Sequence, residues 1–187
     1  MGWCDSRVQR VCNDQETQDP LSVCQPAGQA AEQRGGDRHR PDEEFRAIQQ
    51  RIRGAGQEDR FDVVSEWALR PQELPAAVMR HKPNIVHFSG HGNSSGQLDM
   101  VNDTTGGTQT VSPDTLGEIF KLLGQDVSCV VLNACYSALH AQAIAASVPC
   151  VVGMSSEVTD ESAIAFAAGF YEALVFGQAV QTAFELG

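Results

Sequence analysis

Hydrophobic residues in this chain recur with two periods that alternate from residue 41 onward. Phe45, Ile48 and Ile52 follow Asp42-Glu43-Glu44 at helical spacing, with acids where a helix N-terminus favours them, and Gly54 and Gly56 end the run. Phe61-Asp62-Val63-Val64-Ser65 reads as a strand. Pro71-Gln72-Glu73-Leu74 opens a second helix that runs through Val78 to about His81, and Pro83 closes it. Ile85-Val86-His87-Phe88 is a short apolar strand. The stretch 90–110 is dense in Gly, Asn, Asp, Ser and Thr and is expected to be loop. Ser112-Pro113-Asp114 introduces an amphipathic helix carrying Leu116, Ile119, Phe120 and Leu123. Cys129-Val130-Val131-Leu132 is the most apolar strand, followed by an Ala-rich helix over 137–147. Pro149-Cys150-Val151-Val152-Gly153-Met154 is a further strand, and helices are expected over 160–176 and 178–186.

Strands alternating with helices predict a three-layer α/β/α sandwich with a mainly parallel sheet. Continuous apolar strands fit a sheet covered on both faces. Residues 1–40 break the pattern: they are polar, rich in Gln, Arg, Asp and Gly, and without clean periodicity. Only Leu21-Ser22-Val23-Cys24 reads as a strand there, and poor order is expected up to about Pro20. The chain therefore divides into a segment over 1–40 and a domain over 41–187.

Composition narrows the partners. The formal net charge is -11, from 13 Lys plus Arg against 24 Asp plus Glu. Nucleic acid and anionic membrane both call for a basic face, so neither is expected as a partner. The sequence holds no apolar run of about 18 residues and no apolar stretch of a secretory signal at its start. The six cysteines follow no disulfide or zinc spacing, so free thiols in a reducing cytoplasm are expected.

Two strand ends carry reactive groups. One is Ile85-Val86-His87-Phe88-Ser89-Gly90-His91-Gly92 and the other Val130-Val131-Leu132-Asn133-Ala134-Cys135-Tyr136-Ser137. In open α/β sheets functional groups gather beyond the carboxyl ends of the strands, and strands joined by one crossover are usually neighbours. His91 and Cys135 are then expected at one rim. A thiolate attacks a carbonyl, and an imidazole beside it activates the thiol and protonates the leaving amine. Cys135 also precedes a helix, whose N-terminal dipole favours an anion. Gly90 and Gly92 let the backbone turn tightly and approach a substrate. The amides of Gly92 and Cys135 are candidates for an oxyanion hole, where a single donor is typically worth about 3 kcal/mol. His87, Cys129 and Cys150 lie within strands and read as core residues. A zinc site of His87, His91 and Cys135 lacks a fourth ligand, so no metal and no cofactor are expected.

On these motifs, residues 42–187 resemble the CHAT domain, a bacterial caspase-like and separase-like member of the clan that also contains caspases and gingipains. The strand ends at 85–92 and 130–137 are similar to that family's His-Gly and Asn-Ala-Cys strand ends. Pro149 to Met154, Thr159-Asp160-Glu161 and Ala165-Phe166-Ala167-Ala168-Gly169-Phe170-Tyr171-Glu172-Ala173-Leu174 resemble its next strand, acidic turn and long helix. The resemblance implies a caspase-type sandwich and a hydrolase in which Cys135 and His91 cleave peptide bonds of protein or peptide substrates. It also implies fused or associated sensor modules. Relatives continue past the helix where this chain stops, so the domain is expected to be truncated at its C-terminus. Separase-like relatives hold a basic substrate side chain with an acid where this sequence has Ile164. Asp160 is the nearby alternative for substrate binding, with capping of the following helix as its other reading.

Overall fold

A computed structural model describes residues 8–12, 21–27, 40–56, 60–102 and 107–187. Its main sheet has six strands: β1 (Val8–Cys12), β2 (Leu21–Ala27), β3 (Phe61–Trp67), β4 (Ile85–Ser89), β8 (Cys129–Asn133) and β9 (Cys150–Met154). Their spatial order is β1-β9-β8-β4-β2-β3, and every pairing is parallel except β1 with β9. Three further strands, β5 (His91–Gly92), β6 (Leu98–Asn102) and β7 (Gly107–Val111), form a small antiparallel sheet between β4 and the next helix.

Among the described residues, six helices cover the main sheet: α1 (Pro41–Gly54), α2 (Leu74–His81), α3 (Pro113–Leu123), α4 (Ala138–Ile144), α5 (Asp160–Val175) and α6 (Val180–Leu186). The chain moves outward from β2 to β3, then returns to β4 on the other side of β2 and continues through β8 to β9. A right-handed crossover puts its helix on one face when the chain travels one way and on the opposite face when it travels back. α1 accordingly packs on one face, joined by α5 and α6, while α2, α3 and α4 pack on the other. The sheet is thus the middle layer of an α/β/α sandwich.

The strands show how the two cores arise. In β8, Cys129 and Val131 face the α1/α5/α6 layer while Val130 and Leu132 face the α2/α3/α4 layer. β4, β8 and β9 are buried along their whole length, which is why they lack polar alternation. Ser112 caps α3 by accepting from Thr115 N at 3.2 Å.

The expectation of loop over 90–110 is corrected by β5, β6 and β7. Turn residues dominate this stretch, and among the described side chains Leu98 and Met100 give β6 an inward face. Their burial against the α2/α3 core, rather than local propensity, holds the strand. Val8–Cys12, within the segment expected to be poorly ordered, forms β1. The remainder of 1–20 lies outside the described residues. Among the described residues, no helix is long and apolar enough to cross a membrane.

Candidate active site

β4 and β8 run side by side and end together. Ser89 and Asn133 are register partners, and one residue further the Gly90 amide donates to the Asn133 carbonyl at 3.4 Å. Beyond this point the two chains take different turns. From Gly90 the chain enters β5, where His91 is exposed and opposite Asp99 of β6. The β5–β6 connection is closed by Asn93, whose Oδ1 accepts from the amides of Ser95 and Gln97, and by Gly96 at a φ of 71°. From Asn133 the chain passes Ala134 and Cys135 and turns sharply at Tyr136, a non-glycine residue at a φ of 56°.

The two turns meet at Gly92 and Cys135. A Cβ placed on Gly92 would lie 1.8 Å from the Cys135 carbonyl oxygen, so only glycine lets these backbones approach. The Cys135 thiol is half-buried and faces the turn after β9. The Val158 amide donates to Cys135 Sγ at 3.4 Å, and the Val158 carbonyl lies 3.7 Å from the same sulfur. Ser137 ties the turn down from below, with its Oγ donating to the Leu132 carbonyl at 3.0 Å and accepting from Met154 N at 2.9 Å. α4 begins only at Ala138, so a turn separates the thiol from the helix expected to start beside it.

Behind the strand ends lies a polar cluster with no access to water. Glu44 of α1 is fully buried. His87 Nε2 donates to Glu44 Oε1 at 2.7 Å, Asn133 Nδ2 donates to the same oxygen, and Ser89 Oγ donates to Oε2. His87 Nδ1 lies 3.2 Å from the Tyr171 hydroxyl of α5, and Asn133 Nδ2 also reaches the Ala163 carbonyl at 3.1 Å. Burial alone would push the Glu44 carboxyl up. His87 and the three donated hydrogen bonds outweigh burial and hold it below its ordinary value.

The CHAT domain family model matches residues 4–185, nearly the full chain. The chain belongs to the CHAT domain family. No curated protein matches it. A CHAT domain is a caspase-like, peptidase-related domain, and the parallel-rich sandwich agrees with that fold.

Within this CHAT domain the residues singled out from sequence occupy distinct places. Gly92 and Cys135 abut through their backbones, and His91 precedes Gly92 on β5. Asp160 opens α5, two residues after Val158. The reading of Asp160 as the cap of that helix is corrected. Thr159 is the cap, its hydroxyl accepting from Ser162 N at 3.3 Å, because the side chain just before the first helical residue is the one that reaches the free amides. Asp160 and Glu161 instead lie within electrostatic reach of Arg40. His87 points into the buried cluster on the α1/α5 face.

Two residues of this region do not stand out in the sequence. Glu44 looks like one acid of a helix first turn, yet it stands four residues before Ile48 and eight before Ile52, on their buried stripe. Asp99 lies in the stretch whose turn residues conceal β6. Burial holds the Asp99 carboxyl above its ordinary value, a rise that the nearby His91 offsets only in part.

Proposed function

We propose that this CHAT domain is a caspase-like cysteine endopeptidase acting on protein or peptide substrates. Cys135 is the nucleophile and His91 the acid-base partner. The observation that carries the reading is the abutment of Gly92 on Cys135 at the carboxyl ends of two paired strands. In this reading the Cys135 thiolate attacks the scissile carbonyl carbon, and a C–S bond forms. The imidazolium of His91 gives its proton to the amine as the C–N bond breaks. Water then attacks the thioester carbonyl and gives a proton to His91, and the C–S bond breaks to release the acid product and restore the Cys135 thiolate beside the imidazolium. The amides of Gly92 and Cys135 are proposed to hold the oxyanion, and Asp160 to meet a basic substrate side chain. A reducing, cytoplasmic setting suits the thiol, and a fused or associated sensor module is the proposed source of control. The test is a peptide library profiled beside Cys135→Ala. Cleavage by the parent and none by the variant supports the reading, and equal cleavage by both defeats it.

A second reading, an autoinhibited or silent interaction module, is favoured by the contact of both backbone groups of Val158 with Cys135 Sγ. Thiol labelling over graded pH separates the two. A thiol that reacts at neutral pH faster than a free cysteine supports the peptidase, and a sluggish one supports the module.

A further inference from the structure

The buried cluster has a symmetry with respect to the two reacting residues. Ser89 stands two residues before His91, and Asn133 two residues before Cys135. Ser89 and Asn133 face each other as register partners, and a single carboxylate from a different layer, that of Glu44, accepts from both side chains. Its Oε1 also accepts from His87 Nε2, two residues before Ser89 on the same face of β4. Asn133 carries the link on to α5 through the Ala163 carbonyl. We propose that Glu44 is a positioning residue of the Cys135–His91 pair, clamping the ends of β4 and β8 so that the loops they feed keep a fixed spacing.

The physical basis is the cost of alternatives. A buried carboxylate that loses a donor keeps its desolvation penalty, so the three donors are held firmly to it. Each donor sits on a strand whose next residues form the rim. A shift of either strand end would strand part of the carboxylate, so the spacing at the rim is resisted by the cluster beneath it. Misplacement of reacting groups by about 1 Å is enough to cost about a hundredfold in rate.

The proposal rests on the peptidase reading, and its test separates the two. With the full chain, kcat/KM is measured on a peptide amide and on the matching activated thioester. The amide needs a proton from His91 as its C–N bond breaks. Both substrates need the Cys135 thiolate that His91 helps to form. The activated thioester expels a stable thiolate, so it draws no leaving-group proton from His91 before acyl transfer, the span that kcat/KM reports. Glu44→Gln keeps the size of the side chain and removes the charge that gathers the donors. It is expected to lower amide kcat/KM about tenfold or more while thioester kcat/KM falls less than about threefold. A side chain that merely keeps the protein folded would lower both by the same factor, since fewer folded molecules act equally on either substrate. Equal losses overturn the proposal. Should Glu44→Gln fail to fold, Ser89→Ala removes one donor at the His91 end and is judged by the same ratio. Full amide cleavage by Cys135→Ala would sink the peptidase reading itself, whatever the Glu44 result.

Discussion

At the scale of single residues, Gly92 and Cys135 make the sharpest demands. Gly92 does not need a left-handed backbone; it needs empty space, because its missing Cβ would fall on the Cys135 carbonyl. Gly92→Ala therefore forces the β5 turn away from the thiol. It is expected to cost about 1–3 kcal/mol of stability, as overpacking does, together with most of the activity. Thermal unfolding and the library assay check the two losses separately. The cysteines offer a contrast at nearly constant chemistry. Cys129 and Cys150 are register partners on β8 and β9 and face the α1/α5/α6 core. Replacing either by Ala leaves a small void and is expected to cost about 1 kcal/mol with kcat unchanged. Cys135→Ala is expected to keep stability and lose turnover. A Cys129→Ala or Cys150→Ala protein that folds but has lost turnover would contradict this division of roles.

At the scale of elements, α1 and α4 each bury an ionisable side chain, and both make the fold sensitive to acid. Glu44 has a folded-state pKa below its ordinary value of 4.5. The unfolded chain therefore takes up this proton first as the pH falls. Stability contributed by Glu44 is present above about pH 4.5 and is lost as the pH drops through the folded value. His140 of α4 is buried with Nε2 donating to the Val111 carbonyl of β7 at 2.9 Å, and burial holds its pKa below 6.5. Its effect begins earlier, with stability falling as the pH goes below about 6.5. Urea midpoints across pH 3.5 to 7.5 are expected to decline in two stages. Glu44→Gln should flatten the lower stage and leave the upper. The elements also divide by how far the sequence reveals them. β4, β8, β9, α3 and α5 announce themselves because their apolar residues are continuous or clearly periodic. β5 to β7 do not, since Leu98 and Met100 are too few to make a pattern among turn residues. Glu44 is concealed for a related reason: three acids in a first turn suit the helix dipole, and nothing local says that one of them faces inward.

At the scale of the whole molecule, the two cores share strands, so neither can melt alone. Val130 and Leu132 serve one core while Cys129 and Val131 serve the other, all within the five residues of β8. A void in either layer should therefore weaken one common transition. Ile144→Ala removes a fully buried side chain of α4, and Phe170→Ala one of α5 on the opposite face. Each is expected to cost about 2–5 kcal/mol, with tertiary and secondary structure lost together in one step. Their effects on the rim should differ in kind. Ile144 lies on the face away from Glu44, so the folded Ile144→Ala protein should keep the parent ratio of amide to thioester cleavage. Phe170 packs edge-on against Tyr171, with ring centroids 5.3 Å apart, and Tyr171 touches His87 in the cluster. Loosening that ring should reach the strand ends through Tyr171 and His87, lowering amide cleavage more than thioester cleavage in the molecules that remain folded. The two proteins, matched in stability by a small addition of urea to the firmer one, make the comparison direct. Identical ratios in both would show that the rim senses only the amount of folded protein and not which face has been disturbed.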